Sequence, residues 1–158
     1  MDVKHSVAIR LARETDADAM SMLLIESARE FFPEFSSEGL ARYIKEFSPA
    51  PIRKRIASPG YRHYVATIGS DLAGVCTIRG ENHLLSLFTA KALHRRGVAR
   101  ALWARALDDL MNNGVTEVTV NASNYAVPVY ERLGFIRVSE TQDVGGIIIN
   151  PMVYRVVG

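Results

Sequence analysis

Lys91-Ala92-Leu93-His94-Arg95-Arg96-Gly97-Val98-Ala99-Arg100 is the stretch on which the reading of this sequence turns. It precedes and opens an apolar-periodic segment, residues 97–111, that predicts a long helix. A helix N-terminus carries partial positive charge and free backbone N–H groups, so acidic side chains are favoured there. Arg95, Arg96 and Arg100 crowd that end instead, while Asp108 and Asp109 sit near the other. Each badly placed charge costs about 0.3–1 kcal/mol. A bound anion reverses the sign, because a pyrophosphate accepts several backbone N–H bonds and pairs with the arginines at once. Gly97 and Ala99 have the small side chains that close backbone approach needs. A solvated basic turn accounts for the same charges, and on charge alone both readings stand. The spacing excludes a P-loop, since no G-x-x-x-x-G-K-[ST] is present, and the dinucleotide-binding glycine fingerprint is absent too.

Just before this stretch the sequence period is two. Residues 61–68 and 72–79 predict strands joined by Gly69-Ser70-Asp71, and residues 83–89 a third after Gly80-Glu81-Asn82. Past the helix, Asn112-Asn113-Gly114 suits a left-handed C-cap. Residues 115–120 then read as a strand, 125–133 as a short helix, 135–138 as a strand and 147–156 as a last strand. Pro151 is expected at a bulge or edge, because it cannot donate to a ladder. Upstream, residues 7–12 predict a first strand. A helix capped by Thr15 or Asp16 follows, runs to about Phe32 and stops at Pro33. A second helix fits residues 37–47, and a short one fits between Pro51 and Pro59-Gly60. The strand–helix–strand step from His83 to Val120 predicts a parallel crossover. The expected fold is α/β (α+β): a mixed, mostly antiparallel sheet of about seven strands with helices on both faces, in one domain spanning residues 1–158.

Composition narrows the classes further. A chain of 158 residues that is 48% hydrophobic and 23% charged reads as an ordinary globular domain. A net charge of +2 argues against a protein built to coat nucleic acid. The single cysteine, Cys76, excludes an internal disulfide and, inside the apolar run 72–78, reads as a buried thiol. The four histidines and one cysteine never fall at ligand spacing, so no metal is expected. Asp2, Lys4, His5, Arg10 and Arg13 leave no apolar stretch for a signal peptide. No apolar run approaches the roughly 20 residues of a membrane span. The expected compartment is the cytoplasm.

Leu87-Phe88-Thr89 followed by His94-Arg95-Arg96-Gly97-Val98-Ala99 resembles the acetyl-CoA signature of the GCN5-related N-acetyltransferases: a strand, a short connection, then Q/R-x-x-G-x-G/A opening a helix. His94 stands where Gln or Arg is usual, and Ala99 takes the second small position. The run from Val120 to Phe135 resembles the family's later motif, in which an Asn or Ser follows a strand and a helix carries a Tyr before x-x-x-Gly-Phe. Tyr130, Gly134 and Phe135 match it in type and spacing. Asn150-Pro151-Met152 resembles the last strand of many members.

The resemblance implies a cofactor geometry. Two central parallel strands, 83–89 and 115–120, are splayed by a bulge, and the pantetheine arm of acetyl-CoA enters the V and pairs with the backbone of Leu87, Phe88 and Thr89. The pyrophosphate rests on the amides of Arg95, Arg96, Gly97, Val98, Ala99 and Arg100. Counting back seven residues from Tyr130 reaches Ser123, with Asn124 adjacent, and either side chain could cap the helix and touch the cofactor.

Acetyl transfer from a thioester to an amine needs a neutral amine, a donor for the tetrahedral oxyanion and a proton for the departing thiolate. The family match gives the last role to Tyr130, a contribution of roughly 10²–10⁴-fold; the plainer reading is a core tyrosine with a satisfied hydroxyl. Many members carry a Glu base where this chain has Val118, Thr119 and Val120, none of which can serve. Glu81, His83 and water are the remaining candidates. Glu26, Glu30, Phe31, Phe32, Glu34 and Phe35 form an acidic and aromatic stretch that suits a cationic amine, or else a solvated face with aromatics in the core. The expected partners are acetyl-CoA and an amine acceptor, without nucleic acid or membrane, and a homodimer is compatible with them. Two rival readings are a non-catalytic acyl-CoA sensor and a nucleic-acid domain using the Arg95–Arg100 patch. The second would bind with steep salt dependence and lacks a stacking platform.

Overall fold

Leu85 has no partner across the sheet, and the shape of the molecule follows from it. Thr77 pairs with Ser86 and Ile78 with Leu84, so β4 (His83–Thr89) carries one extra residue against β3 (Asp71–Arg79). A bulge of this kind bends its strand. Parallel pairing of β4 with β5 (Glu117–Ala122) is limited to His83↔Thr119 and Leu84↔Val120, and beyond Leu84 the two strands part. The structure is a computed structural model and describes residues 7–156. Asp2, Lys4 and His5 lie outside them.

The remaining strands are β1 (Val7–Leu11), β2 (Tyr61–Ile68), β6 (Ile136–Arg137), β7 (Gln142–Val144) and β8 (Ile147–Arg155). The sheet order is β1-β2-β3-β4-β5-β8-β6, with β7 paired to β8, and every pairing except β4–β5 is antiparallel. β7 is the one strand the sequence pattern does not announce: its three residues are all exposed, so no alternation marks them. Pro151 lies inside β8, opposite Asn121 of β5. Its carbonyl accepts from Val138 N (3.1 Å) on the other side. Amide and carbonyl of one residue point the same way in an antiparallel strand. The missing donor therefore falls where the outer neighbour of β8 changes from β7 to β6.

Five helices cover the sheet: α1 (Ala17–Phe31), α2 (Ser37–Glu46), α3 (Pro49–Ile56), α4 (Val98–Asn112) and α5 (Val127–Leu133). Strand alternation divides the core in two. Tyr64, Cys76, Ile78 and Leu84 face α4 and meet Leu102, Trp103, Ala106 and Leu110. Val65 and Val75 face the opposite way, onto Ala17, Met20 and Leu24 of α1 and Ile52 of α3. Each such apolar side chain contributes about 1.5–3 kcal/mol on burial. Gly74 lets α4 lie close on β3, because a Cβ there would stand 2.8 Å from Leu102 Cδ1. Cys76 is fully buried, and burial pushes its thiol up to about 12.

Helix ends depart from expectation at two places. Neither Thr15 nor Asp16 caps α1; Asp16 instead accepts from Arg13 N (2.7 Å) and pairs with the Arg10 guanidinium (2.8 Å), closing a short 3-10 turn. At the end of α4, Asp109 accepts the Tyr64 hydroxyl (2.7 Å) and lies 3.5 Å from Arg105, so this acid is compensated although it opposes the helix dipole. The C-terminus closes as anticipated: Gly114 has φ 81°, Val115 N donates to Leu110 O and Gly114 N to Met111 O, both at 3.0 Å. Among the described residues no helix is long and apolar enough to cross a membrane.

Candidate functional site

The parting of β4 and β5 opens a cleft of about 770 Å³. Its walls come from the end of β4, the connection into α4, the loop and helix after β5, and the C-terminal turn of α1. Leu87, Phe88, Thr89, Arg95, Gly97, Val98, Ala99, Arg100, Ser123, Asn124 and Tyr130 all line it. Of the cofactor residues expected from sequence only Arg96 does not, and its amide is engaged in a turn with Leu93 O (3.3 Å).

At one end the cleft meets the N-terminus of α4. Among the described residues no side chain caps that terminus, and no acid stands in its first turn. The first amides of a helix have no intrahelical acceptor, so those of Val98, Ala99 and Arg100 are available to a ligand. Arg95 (φ 65°) and Gly97 (φ 82°) both adopt left-handed backbone. For Arg95 this costs on the order of 1–2 kcal/mol. At Gly97 an added Cβ would meet nothing within 4 Å, so backbone conformation and not crowding demands glycine. His94 Nε2 donates to Thr89 O (3.1 Å) and ties the connection to the end of β4.

The opposite wall explains the Tyr-x-x-x-Gly-Phe spacing. Gly134 has φ 107° and donates to Glu131 O, while Phe135 N donates to Tyr130 O, both at 3.0 Å. This helix cap folds the residue after glycine back over the helix. The Phe135 ring accordingly meets Tyr130 edge-on, 5.3 Å away. Tyr130 is buried, and among the described residues its hydroxyl has no hydrogen-bond partner. Burial, reinforced by nearby Cys76, holds its pKa above the ordinary tyrosine value, so the hydroxyl keeps its proton at neutral pH.

Ser123 and Asn124 make different contacts, and only Ser123 takes a capping role, at the turn ahead of α5. Ser123 Oγ accepts from Ala126 N (3.3 Å) and starts the turn before α5, which delays that helix to Val127. Asn124 Oδ1 accepts from Asn150 Nδ2 (2.9 Å), and its amide donates to Glu34 Oε2 (3.1 Å). Asn150 is fully buried; Nδ2 also reaches Ala122 O (3.0 Å), and Oδ1 accepts from Thr141 Oγ1 (2.6 Å). A lone amide in the apolar run of β8 was the available signal for its role.

The α1 wall is aromatic. Phe31 stacks on Tyr125 (4.3 Å) and lies 5.3 Å from His94, so it touches both rims. Phe32 packs on Phe35 (4.7 Å), Tyr43 (5.4 Å) and Phe88 (5.9 Å). The neighbouring acids go elsewhere: Glu30 pairs with Lys91, Glu34 holds the Asn124 amide and Glu26 is exposed. None of these three acids lines the cleft, nor does Phe35.

The two base candidates also lie off the cleft. Glu81 is exposed in the turn before β4. His83 sits at the base of the V with Nδ1 2.7 Å from Thr119 Oγ1, and burial, aided by the Arg79 charge, lowers its pKa to about 4.

The sequence matches the acetyltransferase (GNAT) domain family over residues 31–156. No curated protein matches it. Among solved structures, a GCN5-related N-acetyltransferase from Rhodopseudomonas palustris superimposes with a TM-score of 0.83 at 18% identity, covering 96% of each chain. The PaiA N-acetyltransferase of Thermoplasma acidophilum, in complex with coenzyme A, gives 0.81 at 17% identity over 96% of this chain and 99% of that one. The ribosomal-protein-S18-alanine N-acetyltransferase of Escherichia coli gives 0.66 at 18% identity over 96% of each.

Proposed function

The chain belongs to the acetyltransferase (GNAT) domain family, and from that premise we propose that residues 1–158 form a single N-acetyltransferase domain moving the acetyl group of acetyl-CoA directly to an amine in a ternary complex. The observation that carries the donor assignment is the uncapped, acid-free N-terminus of α4, flanked by Arg95 and Arg100, at the end of an unpaired stretch of β4. In this reading the pyrophosphate takes the amides of Val98, Ala99 and Arg100, and the pantetheine arm runs along Leu87, Phe88 and Thr89. The amine lone pair attacks the thioester carbonyl, and a backbone N–H of β4 stabilises the oxyanion. Collapse breaks the C–S bond; the thiolate takes the Tyr130 proton, the new amide nitrogen gives its proton to water, and solvent restores Tyr130.

A melting experiment tests donor binding, since a ligand that binds only the folded state raises the midpoint by mass action. Acetyl-CoA should raise it, and adenosine diphosphate bearing a 3′-phosphate should do so in part. No shift at millimolar acetyl-CoA rejects the assignment. Thiol release with a panel of amines and peptides then separates an enzyme from an acyl-CoA sensor, which binds the donor and releases nothing.

A further inference from the structure

The cleft has charges of one sign only. Arg95, Arg100 and Arg132 line it, and among the described residues no aspartate or glutamate does. The acids that sequence order brings near it hold its rims together: Glu30 pairs with Lys91 on one side and Glu34 accepts the Asn124 amide on the other. Between those ties Phe31 stacks on Tyr125 at 4.3 Å, and behind them Phe32 stands 5.9 Å from Phe88.

We infer that the acceptor is a monoamine carried on an apolar or aromatic body, and not a polyamine, an aminoglycoside or a lysine-rich peptide. The inference rests on the N-acetyltransferase reading above. An ammonium leaving water needs a carboxylate or several acceptors to offset its lost hydration. A polycation brings several ammonium groups into a cleft that offers none of the first. An apolar monoamine brings one, which an aromatic face accommodates. The same surroundings disfavour the charged form of that amine. The neutral amine is the nucleophile, so this end of the cleft promotes attack without a carboxylate base beside it.

Two measurements on the full chain test this. Calorimetric titration of the CoA-loaded protein with 2-phenylethylamine and with spermidine reads recognition alone. Thiol release from acetyl-CoA reads transfer to the same amines and to a lysine-containing tetrapeptide. The expected result is binding of 2-phenylethylamine and a kcat/KM at least about tenfold above those of spermidine and the peptide. Tyr125 is half exposed, so Tyr125→Glu keeps the fold and places a carboxylate at the rim; it should move the ratio toward spermidine. Equal or greater kcat/KM for spermidine or the peptide overturns the inference, as does failure of 2-phenylethylamine to bind. Binding of 2-phenylethylamine with no thiol released from any amine supports the ligand class and overturns the acetyltransfer reading instead.

Discussion

Asn150 of β8 donates from Nδ2 to Asn124 Oδ1 at 2.9 Å, binding a strand on the far side of β5 to the loop that walls the cleft. With Ala122 O and Thr141 also engaged, this fully buried amide has a partner at each end. Asn150→Leu leaves the buried Ala122 carbonyl without its donor, while the exposed Asn124 and Thr141 side chains turn to water; an unsatisfied buried group costs about 1–3 kcal/mol. A destabilisation of roughly 1–3 kcal/mol in urea titration is expected, with weaker acetyl-CoA binding. Asn150→Asp should not restore either, because a carboxylate cannot donate to Ala122 O.

Tyr130→Phe removes a hydroxyl that has no hydrogen-bond partner among the described residues. Its melting temperature and acetyl-CoA Kd should match wild type. Turnover should fall by roughly 10²-fold or more, as expected for a proton delivered in the transition state. Stopped-flow and steady-state kinetics on one preparation decide the matter; wild-type kcat in the variant removes the acid role.

Gly97 separates conformation from occupancy. Gly97→Ala forces a side chain into left-handed backbone at a cost of about 1 kcal/mol but meets no neighbour, so acetyl-CoA should still bind. Gly97→Glu adds the same strain and a carboxylate where the pyrophosphate is proposed to rest, and should abolish binding in a folded protein. Equal affinities for the two variants contradict this placement.

Acid should destabilise the fold through His63. Its Nδ1 lies 2.8 Å from Thr77 Oγ1, Nε2 is buried without a partner, and burial, aided by the Arg55 charge, lowers its pKa from 6.5 to about 4. The unfolded chain therefore binds a proton across a window where the folded one does not. Stability is complete above about pH 6.5 and declines as pH falls toward 4, by roughly 3 kcal/mol for this ring. His83, also lowered to about 4, contributes with the same sign. Urea midpoints at pH 7.5, 6 and 5 measure the slope, and His63→Gln should flatten it.

The grouping of residues at the α4 end of the cleft was legible because its signals are local. Arg95 to Arg100 run consecutively into the N-terminus of α4, and the Tyr130-Gly134-Phe135 spacing is that of a helix cap. The acidic and aromatic stretch of α1 stayed open between a cationic-amine site and a solvated face for the converse reason. Glu30 and Glu34 suggested an acidic pocket, but their partners, Lys91 and Asn124, lie 61 and 90 residues away. Composition within a stretch cannot reveal a partner at that distance. Asp109 and Tyr64, 45 residues apart, hid the compensation of α4 in the same way. β7 escaped notice because three exposed residues carry no pattern.

The parting of β4 from β5 beyond Leu84 has a consequence for the life of the protein in a crowded cell. Two rows of backbone groups face each other across a gap, and such rows recruit foreign strands when they occur at the rim of a sheet. Here they lie mid-sheet, where neither lysines nor prolines can guard them as they would an outer strand. In the proposed reading the pantetheine arm guards them instead. On that reading solubility is coupled to the supply of donor, and a chain without it presents an unfinished sheet to any extended segment that fits.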